Sequence, residues 1–267
     1  MISIDQNKCI GCGRCVKECF PGNIGMAENK AIDLGGNCMT CGHCLAVCPV
    51  GAVTLPVYDM NEVLEIKGLN QAIDPEVYLN HLKARRSIRQ FTKAQVDKKA
   101  VEMILEAGRF SPTGGNLQNV AYYVAMDTVE ELKGKLISEL KDMGQAAKAA
   151  GSSVSWYSDA WLKMAAAYEK DGSDSLFFNA PCVIVISSDS PQSAIIAAAH
   201  METMVYSLGL GMLYSGFTNR AIDHSPELQK YLGIKEGYKA YAILVIGHPD
   251  VKFERTVPRK KAEVIWH

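Results

Sequence analysis

At 267 residues the chain is long for one domain and comfortable for two, and with 48% hydrophobic residues its larger part can bury a core. Its 28 basic side chains are matched by 29 acidic ones, so charge gives no case for nucleic acid or an anionic membrane as partner. The longest apolar runs, Ala180–Ser187 and Ala240–Ile246, are strand-length, too short to span a bilayer. The start, Met-Ile-Ser-Ile-Asp, lacks the basic and apolar features of a secretory leader. A soluble protein of a reducing compartment, the cytoplasm, is expected.

Eight of the nine cysteines fall between Cys9 and Cys48. They read Cys-x2-Cys-x2-Cys-x3-Cys twice, Cys9, Cys12, Cys15, Cys19 and then Cys38, Cys41, Cys44, Cys48, the second copy 29 residues after the first. In this spacing three close cysteines wrap one iron–sulfur cubane and the fourth reaches across to the other cluster. Cys9, Cys12, Cys15 and Cys48 are therefore expected to hold one [4Fe–4S] cluster, and Cys38, Cys41, Cys44 and Cys19 a second. A disulfide framework needs an oxidising compartment, and zinc knuckles leave no regular third and fourth cysteine. The run resembles the two-cluster bacterial ferredoxins over residues 1–57. One departure is local: Phe20 separates Cys19 from Pro21, whereas Pro49 follows Cys48 directly.

Residues 1–57 hold few large apolar side chains, so clusters must supply part of the folding energy. Ile2, Ile4, Ala31, Ile32, Val53 and Leu55 are expected at short strand ends. Residues 58–75 change to charged and aliphatic composition, with Gly68 and Pro75 as breakers, and read as the connection to a second domain at 76–267. Pro75 opens a helix through Tyr78, Leu79 and Leu82.

Downstream, Val101, Ile104, Leu105 and Gly108 recur at helical spacing. Thr128 and Glu131 form a capping box ahead of Leu132, Leu136 and Leu140. Ser190-Pro191 starts a helix that Gly209 ends, and Ser225-Pro226 and Gly233 bracket another. Val120–Met126, Cys182–Ser188 and Ala240–Gly247 read as strands. Helices outnumber strands, and the class is α+β. Cys182, inside its apolar strand, reads as a small buried hydrophobe. Between residues 140 and 179 the aromatics Trp156, Tyr157, Trp161, Tyr168, Phe177 and Phe178 form no single helical stripe. They fit core or dimer contact, with a mobile cover over an active site as the alternative.

Arg85-Arg86-Ser87-Ile88-Arg89-Gln90-Phe91 concentrates guanidinium forks and a hydroxyl suited to phosphate. Ser111-Pro112-Thr113-Gly114-Gly115-Asn116-Leu117-Gln118 offers close backbone approach and two side-chain amides that both donate and accept. These stretches, followed by Asn179-Ala180-Pro181, Gly209 to Phe217 and Ile246-Gly247-His248-Pro249, resemble the nitroreductase family of FMN enzymes over residues 76–267. The resemblance implies an α+β sandwich forming an intertwined homodimer, with FMN at the interface. Arg85, Arg86, Ser87 and Arg89 would grip its phosphate and ribityl chain, with Arg259 and Lys260 completing the phosphate site. Pro112, Thr113, Asn116 and Gln118 would lie along the flavin, Asn116 at its pyrimidine side, and Ser215 and Gly216 would face N5.

Gly209-x-Gly211 lacks the third glycine and the strand–turn–helix setting of a dinucleotide site. His200 and Glu202, two apart on a helix, read as polar positions rather than a catalytic pair. No catalytic side chain is assigned. The expected function is an FMN- and iron–sulfur-dependent oxidoreductase passing electrons through two clusters to a nitro, quinone, enone or similar conjugated acceptor, with reduced ferredoxin or NAD(P)H as donor. The alternatives are an electron-transfer adaptor serving a protein partner, and a flavin-destroying or dehalogenating member of the superfamily.

Overall fold

The computed structural model describes residues 1–151 and 155–267, with backbone alone for Ser155 and Trp156. The chain divides into two compact units, Met1–Ala72 with Thr113–Leu117, and Ile73–Pro112 with Gln118–His267. Residues 58–72, read from the sequence as a connection, thus group with the first unit, where Met60–Glu62 forms a short turn capped by Asp59.

The first unit is a duplicated pattern. Strand β1 (Ser3–Ile4) precedes helix α1 (Arg14–Glu18), and a hairpin of β2 (Ile24–Ala27) and β3 (Lys30–Asp33) follows. Helix α2 (His43–Ala46) and β4 (Val53–Thr54) complete it, with β4 antiparallel to β1. Both short helices start from a left-handed glycine, Gly13 and Gly42, as the 29-residue repeat requires. Ile2, Ile24, Ala31, Val53 and Leu55 make a small core around the buried Cys9, Cys15 and Cys44. So few large side chains cannot hold some seventy residues unaided.

In the second unit, α3 (Pro75–Ala84) is capped by Asp74 and α4 (Lys98–Arg109) by Asp97. Next come β5 (Val120–Ala125), α5 (Val129–Ala149), α6 (Ser155–Asp171), β6 (Cys182–Ser188) and α7 (Pro191–Ser207). The unit ends with β7 (Gly211–Tyr214), α8 (Gly216–His224), α9 (Pro226–Tyr231) and β8 (Lys239–Gly247). The four strands form one antiparallel sheet in the order β5-β6-β8-β7.

All seven residues of β6 are buried, and strand alternation sends them to two different cores. Val183 and Val185 join Leu132, Leu136, Leu140, Trp161 and Ile222, so α5, α6 and α8 cover one face. Cys182, Ile184 and Ile186 join Ile104, Ala198, Met201 and Val205, so α4 and α7 cover the other. This helix–sheet–helix layering is the expected α+β architecture. Burial pushes the Cys182 thiol up to about 12, leaving it inert as a nucleophile.

One local expectation needs correction. Thr128 makes no capping bond; its Oγ1 instead lies 3.5 Å from Tyr123 Oη. Glu130 and Glu131 in the first turn still favour the positive helix end. Among the aromatics of residues 140–179, Trp161 and Phe177 are buried core residues, and Tyr157, Tyr168 and Phe178 pack against them. The Trp156 side chain lies outside the described residues.

Core packing also depends on one buried ion pair. Lys133 Nζ, 3% exposed, lies 3.0 Å from Asp174 Oδ2 and 2.7 Å from Glu130 Oε1. Burial works against the charged lysine, but the Glu130 and Asp174 bonds outweigh it and hold its pKa above the ordinary value. Asp174 also accepts from the backbone N–H groups of Leu176, Phe177 and Asn179, fixing the approach to β6. Asp174→Ala should therefore destabilise the second unit by about 3–5 kcal/mol, the cost of orphaning a buried charge. Chemical denaturation checks this. A loss below 1 kcal/mol, on the order of a surface pair, would refute it.

Candidate functional site

Each cysteine quartet lines a cavity of its own. Cys9, Cys12, Cys15 and Cys48 line one cavity, with Ile4, Ala31 and Val53 as its apolar wall. Cys19, Cys38, Cys41 and Cys44 line a second, walled by Ile2, Ile24 and Leu55. Each therefore draws its fourth cysteine from the other repeat. Backbone N–H groups point at the sulfurs: Ala31 to Cys9 (3.4 Å), Ala52 to Cys48 (3.2 Å), Asn23 to Cys19 (3.2 Å) and Thr40 to Cys38 (3.4 Å). Such bonds favour the thiolate, and the one from Ala31 leads in lowering the Cys9 pKa. Burial pushes the Cys44 thiol up to about 11. Phe20 is 90% exposed, and Cys19 keeps its turn through Gly22 N–H to Cys19 O at 2.9 Å. The departure after Cys19 disturbs no sulfur.

In the second unit the segment Arg85–Phe91 is pinned to the sheet. Ile88 N–H donates to Met212 O (2.9 Å), and Thr92 N–H to His248 O (2.9 Å). Ile88 and Phe91 are buried, and the room they occupy exists because two strand positions lack side chains. A Cβ on Gly211 would stand 2.5 Å from Ile88 Cγ1, and one on Gly247 2.8 Å from Phe91 Cδ1. With those two residues turned inward, Arg85, Arg86, Ser87 and Arg89 line a cavity of about 290 Å³ with Arg259 and Phe253. Arg86 Nε is buried with no hydrogen-bond partner among the described residues. Four guanidiniums and a hydroxyl around one space suit a phosphate monoester. Lys260 is exposed and is not among the residues lining this space.

Ser215 and Gly216 lie where β7 turns into α8. The Ser215 hydroxyl caps the helix at Thr218 N–H (3.4 Å), and the Gly216 N–H belongs to the first turn, whose donors have no partner within the helix. Both residues line a cavity of about 280 Å³ with Tyr214, Asn219 and Asp223. Burial pushes the Asp223 carboxyl above its ordinary value.

The residues around the second signature divide differently. Pro112 and Gln118 belong to the second unit, while Thr113 and Asn116 belong to the first. Asn116, expected at the flavin pyrimidine, commits its Nδ2 to Met39 O (3.1 Å) and Thr40 O (3.2 Å).

His200 and Glu202 have roles that their sequence positions did not suggest. Nδ1 of His200 lies 2.9 Å from Ser111 Oγ, and Glu202 Oε1 lies 3.2 Å from Arg85 Nη1. Facing different sides of α7, they brace the two signature stretches separately. Burial raises the Glu202 pKa, with Arg85 and His81 working against that rise. Helical spacing showed that they face apart but could not show what each one faces.

Residues 82–248, more than half the chain, match the nitroreductase family. The chain belongs to the nitroreductase family. Residues 1–49 match the 4Fe-4S dicluster domain. Among solved structures, the nitroreductase with bound FMN from Bacteroides fragilis is 21% identical, covering 70% of this chain and 98% of its own, with a TM-score of 0.56. The nitroreductase with bound FMN from Desulfitobacterium hafniense is 24% identical, covering 70% and 97%, with a TM-score of 0.54. These likenesses establish the nitroreductase fold. A component of the ion-translocating oxidoreductase complex of Methanosarcina acetivorans is 45% identical over 47 residues, 18% of each chain. Among the described residues, no helix is long and apolar enough to cross a membrane. The nitroreductase match ends at His248, so Arg259 reaches the arginine-lined cavity from beyond it.

The close approach at β7 gives a test of this geometry. Gly211→Ala should force Ile88 outward, lowering stability by about 1–3 kcal/mol as overpacking does. It should also weaken binding of a phosphate-bearing flavin, with riboflavin affinity changed less. Denaturation together with flavin titration checks this; equal loss for FMN and riboflavin would refute the link to phosphate.

Proposed function

We propose that the chain is an FMN- and iron–sulfur-dependent oxidoreductase. It takes electrons in through two [4Fe–4S] clusters, one per cysteine quartet, and delivers them by way of FMN to a nitro, quinone, enone or similar conjugated acceptor. The observation that carries this reading is the presence in one chain of two crossed quartets and an arginine-lined cavity on a nitroreductase fold. The fit to FMN rests on the donor set, since Arg85, Arg86, Ser87, Arg89 and Arg259 offer charge and hydrogen bonds to a phosphate. When bound, FMN exchanges the single electrons that clusters carry for the electron pairs that such acceptors take up.

The chain's own residues supply binding and orientation. The Ile88–Met212 bond and the glycine clearances fix the guanidiniums relative to β7. From β7 the chain runs directly to the Gly216 N–H at the start of α8, a donor at a positive helix end that suits an electron-rich flavin edge. Reduction of a quinone-type acceptor consumes an electron pair and two protons, and water can supply the protons without a dedicated side-chain acid. The working form is a homodimer, as the resemblance implies, with reduced ferredoxin or NAD(P)H as donor.

The test is anaerobic. Iron counting should find about eight irons per chain, the content of two cubanes. Cys12→Ser should abolish turnover of a small quinone or nitro compound driven by reduced ferredoxin. Any turnover driven by NAD(P)H acting directly on the flavin should survive. Ferredoxin-driven turnover that persists in Cys12→Ser would defeat the cluster route, and reoxidation by proteins alone would defeat the small-acceptor assignment.

A further inference from the structure

Duplication in the first unit provides an internal comparison, because each position of the first cysteine run has a counterpart 29 residues on. The corner between Cys38 and Cys41 is covered. Asn116, on the loop Thr113–Leu117 that belongs to this unit, donates through Nδ2 to Met39 O (3.1 Å) and Thr40 O (3.2 Å). Tyr58 Oη stands 3.0 Å from Thr40 Oγ1. Met39, Thr40 and Cys41 are accordingly half-buried. The counterpart corner, between Cys9 and Cys12, carries no such loop among the described residues. Ile10 there is 63% exposed, and Cys12 alone of the eight clustered cysteines is exposed.

Charge separates the two corners as well. Arg14 and Lys17 on α1 correspond to His43 and Ala46 on α2, and Lys8 ahead of Cys9 corresponds to Asn37 ahead of Cys38. Arg14 borders the cavity of Cys9, Cys12, Cys15 and Cys48, together with Ile10 and Val50. Arg14 and Lys17 are exposed, and neither forms an ion pair among the described residues. Lys8 is offset in part by Asp5 at 3.9 Å. Glu18, at the end of α1, instead lines a recess with Cys41, Gly42, His43 and Ala46. One repeat thus presents unpaired cations beside an exposed cysteine and two apolar side chains. The other presents a carboxylate and no lysine or arginine.

We infer, on the two-cluster reading above, that an acidic one-electron carrier protein docks on the face formed by Ile10, Cys12, Arg14, Lys17 and Val50, and reduces the cluster of Cys9, Cys12, Cys15 and Cys48. An apolar centre edged by cations lets charge steer the encounter while the contact itself stays small. The carrier loses one electron and the cluster gains it. No bond forms or breaks, and no proton moves.

The experiment uses the full-length, iron- and FMN-loaded protein under anaerobic conditions, with an acidic two-cluster bacterial ferredoxin as carrier. Arg14→Ala with Lys17→Ala removes two positive charges. His43→Glu with Ala46→Glu adds two negative charges at the corresponding positions, so the net charge changes equally. Calorimetric affinity for the carrier should fall about tenfold in the first variant, with a flatter salt dependence, as lost steering produces. At about 0.1 M salt it should stay within about twofold in the second, whose new charges lie outside the docking face. Rapid-mix electron paramagnetic resonance of the reduced clusters should follow the same order with the carrier. Reduction by a reduced viologen, a small cation, should slow in neither variant. Equal weakening in both variants would overturn the inference, since only total charge would then matter, and so would unchanged binding in the first. Slowing with the viologen would overturn it too, because Arg14 and Lys17 would be acting on the cluster instead of the partner. Wild-type clusters that the viologen reduces but the carrier neither binds nor reduces would sink the docking face alone. If iron counting finds no cubanes in the wild type, the two-cluster reading itself falls, a failure visible before any variant is made.

Discussion

The polar face of the second unit depends on two missing side chains. Gly211 and Gly247 leave just enough space beside β7 and β8 for Ile88 and Phe91. An extended segment that buries its apolar residues in the sheet must turn the others out, and here the others are Arg85, Arg86, Ser87 and Arg89. Their convergence on one cavity is thus a packing result: apolar burial pays for gathering like charges that would otherwise repel. Glu202 and the backbone carbonyls of Lys83 and Arg85, which accept from Arg86, reduce that repulsion further.

The first unit follows a different logic. Its apolar core is small, and each of its two cavities is bordered by four cysteines together with apolar side chains. Cys48 lines one cavity with Cys9, and Cys19 lines the other with Cys38, so each cavity draws on both repeats. Under the proposed reading metal ligation does the work that burial does in the larger unit, and four N–H groups aimed at sulfur favour the thiolates.

What could be read from the residues followed from how local each constraint is. Cysteine spacing is set by the reach of short loops around one body, so the crossed quartets were legible at once. Strand β6 was legible because burial on both faces demands an unbroken apolar run, and α7 because Ser190, Pro191 and Gly209 mark its ends chemically. Strand β7 was not, since its four residues carry little pattern of their own. The arginine cluster was legible as a group, but its brace at Glu202 was not, because that contact joins residues more than a hundred positions apart. Asn116 shows the limit most clearly. Its chemistry as a two-way amide was evident, yet which carbonyls it meets is decided by a segment 76 residues upstream. Thr128 makes no cap although the hydroxyl it lies beside, that of Tyr123, is only five residues away.

The loop at Thr113–Leu117 also changes what kind of fusion this is. Two modules joined end to end share a single covalent crossing, and their mutual affinity is set by one tether. Here the chain crosses between units three times, at Ala72–Ile73, Pro112–Thr113 and Leu117–Gln118. One of the two units is completed by five residues borrowed from within the other's sequence. A single cut after Ala72 would leave the first unit without Thr113–Leu117, while the second would keep all of its residues. Insertions and deletions near residue 115 would be felt by both.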